Sequence, residues 1–481
     1  MAMRTKTPLL EKTPFAIDDN PMQGALTANA GLAGVSRVLR SLGLAPACES
    51  LLDLKKRNRG YAPAQVIESL VLLNAAGGDC MQDIAMLRDD PAIEKMLGYR
   101  PPSARAIGEF LVRFHDEGKL EEARAQAHRQ QRLAFIVEEN PPLAGLQGVQ
   151  CALLTRIDEV SQLPRTATVD QDATVIESRK RGASYTYKGM KGYQPMVAVW
   201  AEAGLVLADE FRDGNVPALM APLTCARQAF SALPGPVHAL YFRGDSACHE
   251  AGLLNWLRDE AREDGPQGVI GFAVSARMSS ELAPRLRAVP EAQWKTFGHD
   301  GDGTIRQWAE LDFVPGEKVE KKHTQPLRYV GLRLTKAQGD LFADGNEHHY
   351  HAVVSNRWDM DGGDLITWHR AKAGTIEHVH DEIKNGLAAG QLPSAKFGAN
   401  AAWFRIVCIA FNILSALRRA WPDESVRNAR PKRLRFLILR VAGRFVRDRR
   451  KISLRFCAPK QWIRDFKALF EAFPLTTRAT G

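Results

Sequence analysis

Residues 165–177 read RTATVDQDATVIE. From Thr166 to Ile176, threonine, valine and alanine alternate with polar residues, and an alternation with a period of two predicts a β-strand. Asp170 and Asp172 stand two positions apart in this strand, so their side chains are expected on the same face. The sequence therefore predicts a strand that presents two carboxylates on one side.

A second strand-like run leads to another carboxylate. Val237–Phe242 continues directly into Arg243-Gly244-Asp245, so Asp245 is expected where a strand ends and a loop begins. Hard divalent cations need oxygen ligands, and acids at neighbouring strand ends supply them from a fixed backbone. The pattern predicts a metal site that one more acid would complete.

Further periodic segments give the order of elements around these acids. Strands are predicted at Gln194–Glu202 and Leu205–Phe211, with Ala203-Gly204 as the hairpin turn, and a helix at Pro217–Ala232 precedes the strand at Val237. Three antiparallel strands, a helix and a further strand match the start of an RNase H-like α/β fold. We therefore expect an α/β protein with an RNase H-like core.

The composition is typical of a globular protein, since 45% of the 481 residues are apolar and 25% are charged. The net charge of +10 is local, because Arg418–Lys460 contains 15 Lys and Arg against three acids. Such a basic block favours a polyanion as the partner. Seven scattered cysteines without a CxxC pair argue against a disulfide framework or a cysteine zinc site, and they indicate a reducing compartment.

Neither a signal peptide nor a membrane span is predicted. The first 20 residues lack an apolar core. The most apolar late run, Ile406–Phe411, is far shorter than the roughly 20 residues that cross a bilayer. We expect a cytoplasmic protein with no membrane partner.

The N-terminal part carries helical signals from Gly31 to about Gln131, and Glu138–Pro142 interrupts them. In PPSARAIGEFLVRF (101–114), Ser103 is expected to cap a helix that exposes Arg105 in its first turn. A helix presented in this way can enter a major groove. An ordinary helix in an all-helical packing domain explains the same segment, and the choice stays open.

Glu377 supplies the third acid, near the start of a predicted helix in GTIEHVHDEIKNG (374–386). Glu377, Asp381 and Lys384 cluster on one helical face, about a quarter-turn from an apolar stripe. The stripe consists of Ile376, Val379, Ile383 and Leu387. An acid in a first turn is also favoured by the helix dipole alone, which is the alternative explanation for Glu377.

These acids together resemble the three acids of bacterial insertion-sequence DDE transposases. The resemblance lies in TVDQDATVIES (168–178), RGDSACHE (243–250) and the Glu377 segment, and it covers roughly residues 165–415. KGYQPMVA (191–198) and IVCIAFNILSALRR (406–419) are also similar to that family. The match is to the branch with a β insertion between the second aspartate and the glutamate.

The resemblance implies a DNA transposase that cleaves transposon ends and transfers them into target DNA by a cut-and-paste route. Two Mg²⁺ ions, with Mn²⁺ as a substitute, would be held by Asp172 or Asp170 together with Asp245 and Glu377. The family's first acid is commonly followed two residues on by Thr or Ser, which favours Asp172 through Thr174. The partners would be terminal inverted repeats and target DNA, bound by a homodimer at the bacterial nucleoid.

The same resemblance sets the expected domains. Short strand-like runs between Val269 and Arg357 predict a mostly β subdomain. The basic RLRFLILRVAGRFVRDRRK (433–451) is expected to form an amphipathic helix on DNA phosphate, with a membrane surface or a solvated face as alternatives. The expected order is a helical DNA-end-binding domain (1–140), a first core part (160–268), the β insertion (269–357), a second core part with the glutamate helix (358–417) and a basic C-terminal region (418–481).

The glutamate signature departs from the family pattern. Lys384 stands at the expected place after Glu377, but Arg370 occupies the usual tyrosine position and Ala373 the usual arginine position. Arg370 and Lys372 are candidates for the missing contacts to DNA phosphate, as is Lys384. The departure keeps two alternatives open: an RNase H-like nuclease that cuts without joining, and an inactive transposase relic that binds DNA.

Trp294, in EAQWKTF of the insertion, is a candidate to stack on a base near the transposon end, as the resemblance implies. A buried core tryptophan is the alternative.

Overall fold

The computed structural model describes residues 24–54, 60–314, 326–336, 342, 344–448 and 451–475. Its helices are α1 Leu32–Ser41, α2 Leu44–Leu51, α3 Pro63–Ala76, α4 Ile84–Arg88, α5 Pro91–Leu97, α6 Ala104–Val112, α7 Glu117–Arg129, α8 Pro141–Ser161, α9 Pro222–Ser231, α10 Ala251–Arg258, α11 Leu282–Arg287, α12 Gly362–Arg370, α13 Ile376–Asp381, α14 Phe397–Ala420, α15 Glu424–Arg427, α16 Pro431–Leu434 and α17 Lys460–Ala472. Its strands are β1 Leu26–Thr27, β2 Thr166–Ala173, β3 Ile176–Glu177, β4 Ser184–Tyr185, β5 Lys191–Tyr193, β6 Met196–Trp200, β7 Leu205–Glu210, β8 Ala239–Gly244, β9 Ile270–Ser275, β10 Lys295–His299, β11 Ile305–Leu311, β12 Arg328–Thr335, β13 His348–Ser355, β14 Gly443–Asp448 and β15 Lys451–Phe456.

A nine-stranded mixed sheet forms the centre of the protein, in the order β10-β11-β12-β13-β9-β8-β2-β6-β7. Strands β2, β6 and β7 are antiparallel neighbours, whereas β8 and β9 run parallel to β2 on its other side. Every residue of β6 and β7 is buried. Helices α8, α9 and α14 pack against β7, and helix-covered strands of this kind lose the polar alternation of a half-exposed strand. The expected mixed α/β architecture is confirmed.

The strands of the expected β insertion extend this same sheet. Strand β13 pairs antiparallel with β9, and β12, β11 and β10 follow outward. Strand β9 itself pairs parallel with β8, so the predicted division at residue 269 falls just before a strand whose neighbours are β8 and β13. A small second hydrophobic core lies where this part of the sheet packs on α12. The packing there is tight, because a Cβ atom added at Gly362 would lie 2.3 Å from Trp308.

Helix α14 is the main core helix. Its residues from Gly398 to Leu417 are all buried. The helix is long and apolar enough to cross a bilayer, but its apolar window is 100% buried inside the protein. Helices α1, α3, α6 and α8 pack on it, so the described N-terminal helices share the core of the sheet domain.

A buried arginine ties α14 to its neighbours. Arg405 donates to Asp209 Oδ1 on β7 at 2.9 Å and to Glu139 Oε1 at 2.6 Å. It also donates to the backbone oxygen of Leu143, in the first turn of α8, at 2.8 Å. Both Arg405 and Asp209 are almost fully buried, so each depends on the other for compensation of its charge.

The interruption expected at Glu138–Pro142 marks the start of α8, a helix that the sequence patterns did not predict. Asn140 caps it by accepting from the Leu143 backbone N–H at 3.0 Å, and its amide donates to Phe114 O at 2.8 Å. The expected cap at Ser103 is present, since its hydroxyl oxygen accepts from the Ala106 N–H at 3.3 Å.

The expected amphipathic helix at 433–451 is wrong. The described residues there form the short helix α16, a π-helical turn at Arg435–Leu439 and then strand β14. Strand β14 forms a hairpin with β15, and β1 pairs with its other edge. Pairing with β15 and β1 satisfies the backbone groups of GRFVRD (443–448) as a strand.

We expect Arg405→Ala to lower the free energy of unfolding by about 3–5 kcal/mol, because it leaves the Asp209 carboxylate buried without its partner. Urea unfolding followed by tryptophan fluorescence measures this change. The double variant Arg405→Met/Asp209→Leu should recover a large part of the loss. A loss below about 1 kcal/mol for Arg405→Ala would show that the buried pair is not a stability determinant.

Candidate active site

Asp172 and Asp245 lie at matching ends of two adjacent parallel strands. The register pairs Gln171 of β2 with Gly244 of β8, so the next residue of each strand is an acid at the same edge of the sheet. Asp245 accepts from the Ala247 backbone N–H at 2.9 Å, which fixes its side chain at the start of a short turn. Both acids line one cavity of about 740 Å³. The structure therefore brings these two predicted acids together.

The pKa of Asp172 is affected by the charged groups around it. Burial and the negative charge of Asp245 raise the pKa of Asp172 to about 6. The charge of Glu377 acts in the same direction, while the ammonium group of Lys372 opposes it. A carboxylate whose pKa is raised by neighbouring negative charge favours a bound cation.

Glu377 lies in the first turn of α13 with its side chain exposed. The apolar stripe of α13 and the segment after it is as expected, because all four of its residues are buried: Ile376, Val379, Ile383 and Leu387. Across the described ranges, no group of three or more His, Cys, Asp or Glu side chains is close enough to hold a metal ion. Asp172 and Asp245 face one cavity, and the carboxylate oxygens suit Mg²⁺ or Mn²⁺ as hard cations.

Asp170 has a different environment from Asp172. Its side chain is fully buried and accepts two hydrogen bonds from Arg243, at 2.6 Å from Nε and 2.8 Å from Nη2. The Thr375 hydroxyl donates to the same carboxylate. Of the two aspartates that the sequence left open, Asp172 reaches the cavity and Asp170 is held in an ion pair.

The contacts of this ion pair join the elements that carry all three acids. Asp170, Arg243 and Thr375 each stand two residues before one of the acids Asp172, Asp245 and Glu377. Arg243 also donates to the backbone oxygen of Trp368 on α12 at 2.8 Å. The relative positions of the candidate ligands are therefore fixed by one buried cluster.

Three basic candidates surround the acids. Lys384 donates to Thr174 Oγ1 at 3.1 Å, beside the end of β2, and burial lowers its pKa. Arg370 is exposed and lines a neighbouring cavity that also contains Asp245. Lys372 is near enough to lower the pKa of Asp172. These positions suit groups that neutralise a phosphate next to the acids.

Trp294 and Arg105 lie elsewhere. Trp294 is only 8% exposed, with the Arg333 guanidinium 4.7 Å above its ring and Tyr350 packed 6.0 Å away. The burial contradicts the expectation that Trp294 stacks on DNA and favours the core alternative. Arg105 is exposed on α6 in an ion pair with Glu109 and does not line the described cavities that contain Asp245.

The sequence patterns missed a group of residues at the cavity. Tyr185 and Tyr187 line it together with Asp172 and Asp245, on a short hairpin that follows β2. The signal that could have found them is SYTYKGMK (184–191), in which two tyrosines at a spacing of two residues are followed by two lysines.

Two acids at adjacent strand ends, with a third acid on a later helix, are the candidate residues of the site. A family model described as "Transposase DDE domain group 1" matches residues 20–476, which is nearly the whole chain. The chain belongs to this family and is a DDE transposase. DNA transposition is therefore its enzymatic activity.

Two further comparisons give less information. No curated protein matches the chain. Among solved structures, the chain is similar to a piggyBac transposase in a synaptic complex with hairpin DNA, at 11% identity and a TM-score of 0.43. The similarity covers 87% of this chain and 82% of that chain.

The two aspartates of β2 should respond in opposite ways to neutralisation. We expect Asp170→Asn to lower the free energy of unfolding by about 3 kcal/mol, because Arg243 loses its buried partner. Asp172→Asn should leave stability at pH 8 unchanged or higher, since its ionised form is opposed by burial and by Asp245. Urea unfolding of both variants measures the difference.

Calorimetric titration with Mn²⁺ provides the matched readout. Asp172→Asn should abolish Mn²⁺ binding in the folded protein. Asp170→Asn should retain Mn²⁺ binding under conditions in which this less stable variant is folded. Loss of binding with Asp170→Asn alone would reverse the assignment of the two aspartates.

Proposed function

We propose that this transposase cleaves the ends of its element and joins them to target DNA by a cut-and-paste route. Asp172, Asp245 and Glu377 are its catalytic acids. The observation that carries the proposal is the pair of acids, Asp172 and Asp245, at the matching ends of β2 and β8 on one cavity. The charge of Glu377 reaches the same site.

Asp172 and Asp245, with Glu377 as the third acid, would hold two Mg²⁺ ions, with Mn²⁺ as a substitute. When bound, the ions activate the attacking water or 3′-hydroxyl and stabilise the departing 3′-oxygen. Lys384, Lys372 and Arg370 orient the phosphate by neutralising its oxygens.

One site serves both steps because cleavage and joining are each an in-line attack on a phosphodiester. Water attacks in cleavage, and the released 3′-hydroxyl attacks the target strand in joining. The buried pair of Asp170 and Arg243 keeps the acids in place between the two steps by holding β2 against β8. The chain's own residues therefore bind, orient and fix the reacting groups.

The finer features of the protein are proposed on the same basis. The strand order β7-β6-β2-β8-β9, antiparallel and then parallel, supports an RNase H-like core. The β10–β13 extension between Asp245 and Glu377 supports the bacterial insertion-sequence branch with a β insertion. The helical DNA-end-binding domain at residues 1–140, the homodimer in the synaptic complex and the nucleoid location in the bacterial cytoplasm complete the proposal.

The basic C-terminal region at 418–481 is proposed to bind DNA phosphate. Arg444 of β14 and Arg455 of β15 are directly opposite one another in the hairpin, and both are exposed. Like charges in opposite positions destabilise a hairpin, so their presence favours an anionic partner. An extended backbone with exposed arginines can follow a phosphate chain as well as the expected helix can.

The salt dependence of DNA binding tests this region. We expect Arg444→Gln/Arg455→Gln to weaken binding and to make the slope of log K against log[salt] less negative by about 1.8, since two phosphate contacts are lost. Fluorescence anisotropy with a labelled duplex, from low to moderate salt, measures the slope. Arg285→Gln/Arg287→Gln removes the same charge from exposed positions on α11 and serves as the control. Equal slopes for the two double variants would show that the loss of net charge causes the change, and that Arg444 and Arg455 make no specific phosphate contacts.

The decisive experiment for the function uses labelled DNA that carries the element's own ends, with Mg²⁺ or Mn²⁺. We expect wild-type protein to cut and join, and Asp245→Asn and Asp172→Asn to lose more than the roughly 10- to 100-fold that loss of an outer partner of a metal site costs. Asp259→Asn, next to the end of α10 and outside the cavity, is the matched control and should retain activity.

The products also separate the alternatives. Cutting without joining would replace the transposase mechanism with that of a nuclease. Binding without cutting by wild-type protein would indicate an inactive relic, consistent with Arg370 and Ala373 at the signature positions.

A further inference from the structure

A short aromatic hairpin stands at the mouth of the candidate active site. Strands β4 and β5 pair within a three-stranded sheet, and Tyr185, Thr186 and Tyr187 line the cavity that also contains Asp172 and Asp245. The tyrosines are 65% and 75% exposed, respectively. Two large aromatic side chains are thus exposed to solvent beside the acids, and neither belongs to the hydrophobic core.

The base of this hairpin is firmly held. Ser184 donates to Asp213 twice, at 3.0 Å from its backbone N–H and at 2.6 Å from its hydroxyl. Tyr193, the last residue of β5 and also at the base, is buried and packs against Phe211 and Phe397, with ring centroids 5.0 and 6.3 Å away. The hairpin is therefore fixed at its base.

The turn at the tip is also defined. The Thr186 backbone N–H donates to Met190 O at 2.8 Å, and the Thr186 hydroxyl donates to the same oxygen at 2.9 Å. Gly189 takes the left-handed φ of 78° that closes the turn. Because both base and tip are ordered, the exposed tyrosines are preorganised for a ligand.

The charge around the tyrosines is strongly positive. Residues 177–192 contain five Lys and Arg against a single acid. The ammonium groups of Lys191 and Lys188 lie 5.5 and 5.8 Å from the ring centroids of Tyr185 and Tyr187. Lys188 is also near enough to Lys384 to lower its pKa, so the basic surface continues from the hairpin to the acids.

We propose that Tyr185 and Tyr187 form a stacking platform for an unpaired nucleobase next to the scissile phosphate, with Lys188 and Lys191 holding the adjoining backbone. The proposal rests on the DNA cleavage proposed above. Aromatic faces stack on any base, and adjacent basic side chains track the phosphates of a single strand. A protein partner fits less well, because a lysine ammonium lies near each ring and the adjoining cavity contains the carboxylates of Asp172 and Asp245.

The platform takes the place that the sequence assigned to Trp294. That indole is covered by Arg333 and Tyr350, so its faces are occupied by protein groups. Tyr185 and Tyr187 each have a lysine ammonium near the ring, but their side chains are 65% and 75% exposed beside the cavity that contains Asp172 and Asp245.

The test combines a protein change with a DNA change. Full-length protein is titrated with a duplex that carries the element's own end and flanking nucleotides, either intact or with one abasic nucleotide beside the cut. We expect Tyr185→Ala/Tyr187→Ala to bind the intact duplex roughly tenfold more weakly than wild type does. Wild type should lose a similar factor on the abasic duplex, and the alanine variant should lose nothing further.

Controls separate stacking from a change in fold. Tyr185→Phe/Tyr187→Phe keeps both rings and should keep the affinity and its dependence on the base. Urea unfolding of the alanine variant should match wild type, since both side chains are exposed. The same abasic nucleotide placed in the target duplex, with joining as the readout, identifies whether the stacked base belongs to the element end or to the target.

The outcomes for the platform and for the proposed function are distinct. Equal base dependence in wild type and in the alanine variant overturns the platform, and cleavage by that wild-type protein leaves the transposase mechanism intact. Base-dependent binding that requires the tyrosines, without any cutting, supports the platform and removes the proposed cleavage. Absence of binding to either duplex overturns both.

Discussion

The buried ion pair between Asp170 and Arg243 is the constraint on which the active site depends. Neither group has access to water, so each is satisfied only while β2 and β8 remain in register. The pair also receives the Thr375 hydroxyl, which ties in the start of the glutamate helix. The pair thus connects the three elements that carry the candidate acids Asp172, Asp245 and Glu377.

Sequence periodicity was sufficient for the elements around this pair, but it could not distinguish the two aspartates of β2. Both occupy the same face of one strand, and the difference between them is a partner, Arg243, that lies 73 residues away in the chain. The motif spacing favoured Asp172 through Thr174, and the structure supplies the physical reason in the burial of Asp170. Long-range pairing of this kind leaves no local signal.

Some of the failures of prediction also arise from contacts between distant parts of the chain. The order of arginines and apolar residues at 443–448 does not distinguish a strand from a helix, and the choice is made by pairing with β1 and β15. Trp294 offered only its residue type, and its burial depends on Arg333 and Tyr350 from distant strands. The Tyr185 hairpin was missed because its exposed aromatics break the apolar periodicity that identifies core elements.

The pairing of β1 with β14 has a consequence for how the protein is made. Leu26 faces Arg444 across this ladder, a separation of more than 400 residues, and α1 packs on α17 in the same region. Contacts of such high sequence separation form late, because the intervening chain must first be ordered or closed as a loop. A nascent chain therefore leaves β1 without its partner until β14 has been synthesised. Although β1 is made long before β14, its strand pairing is completed late.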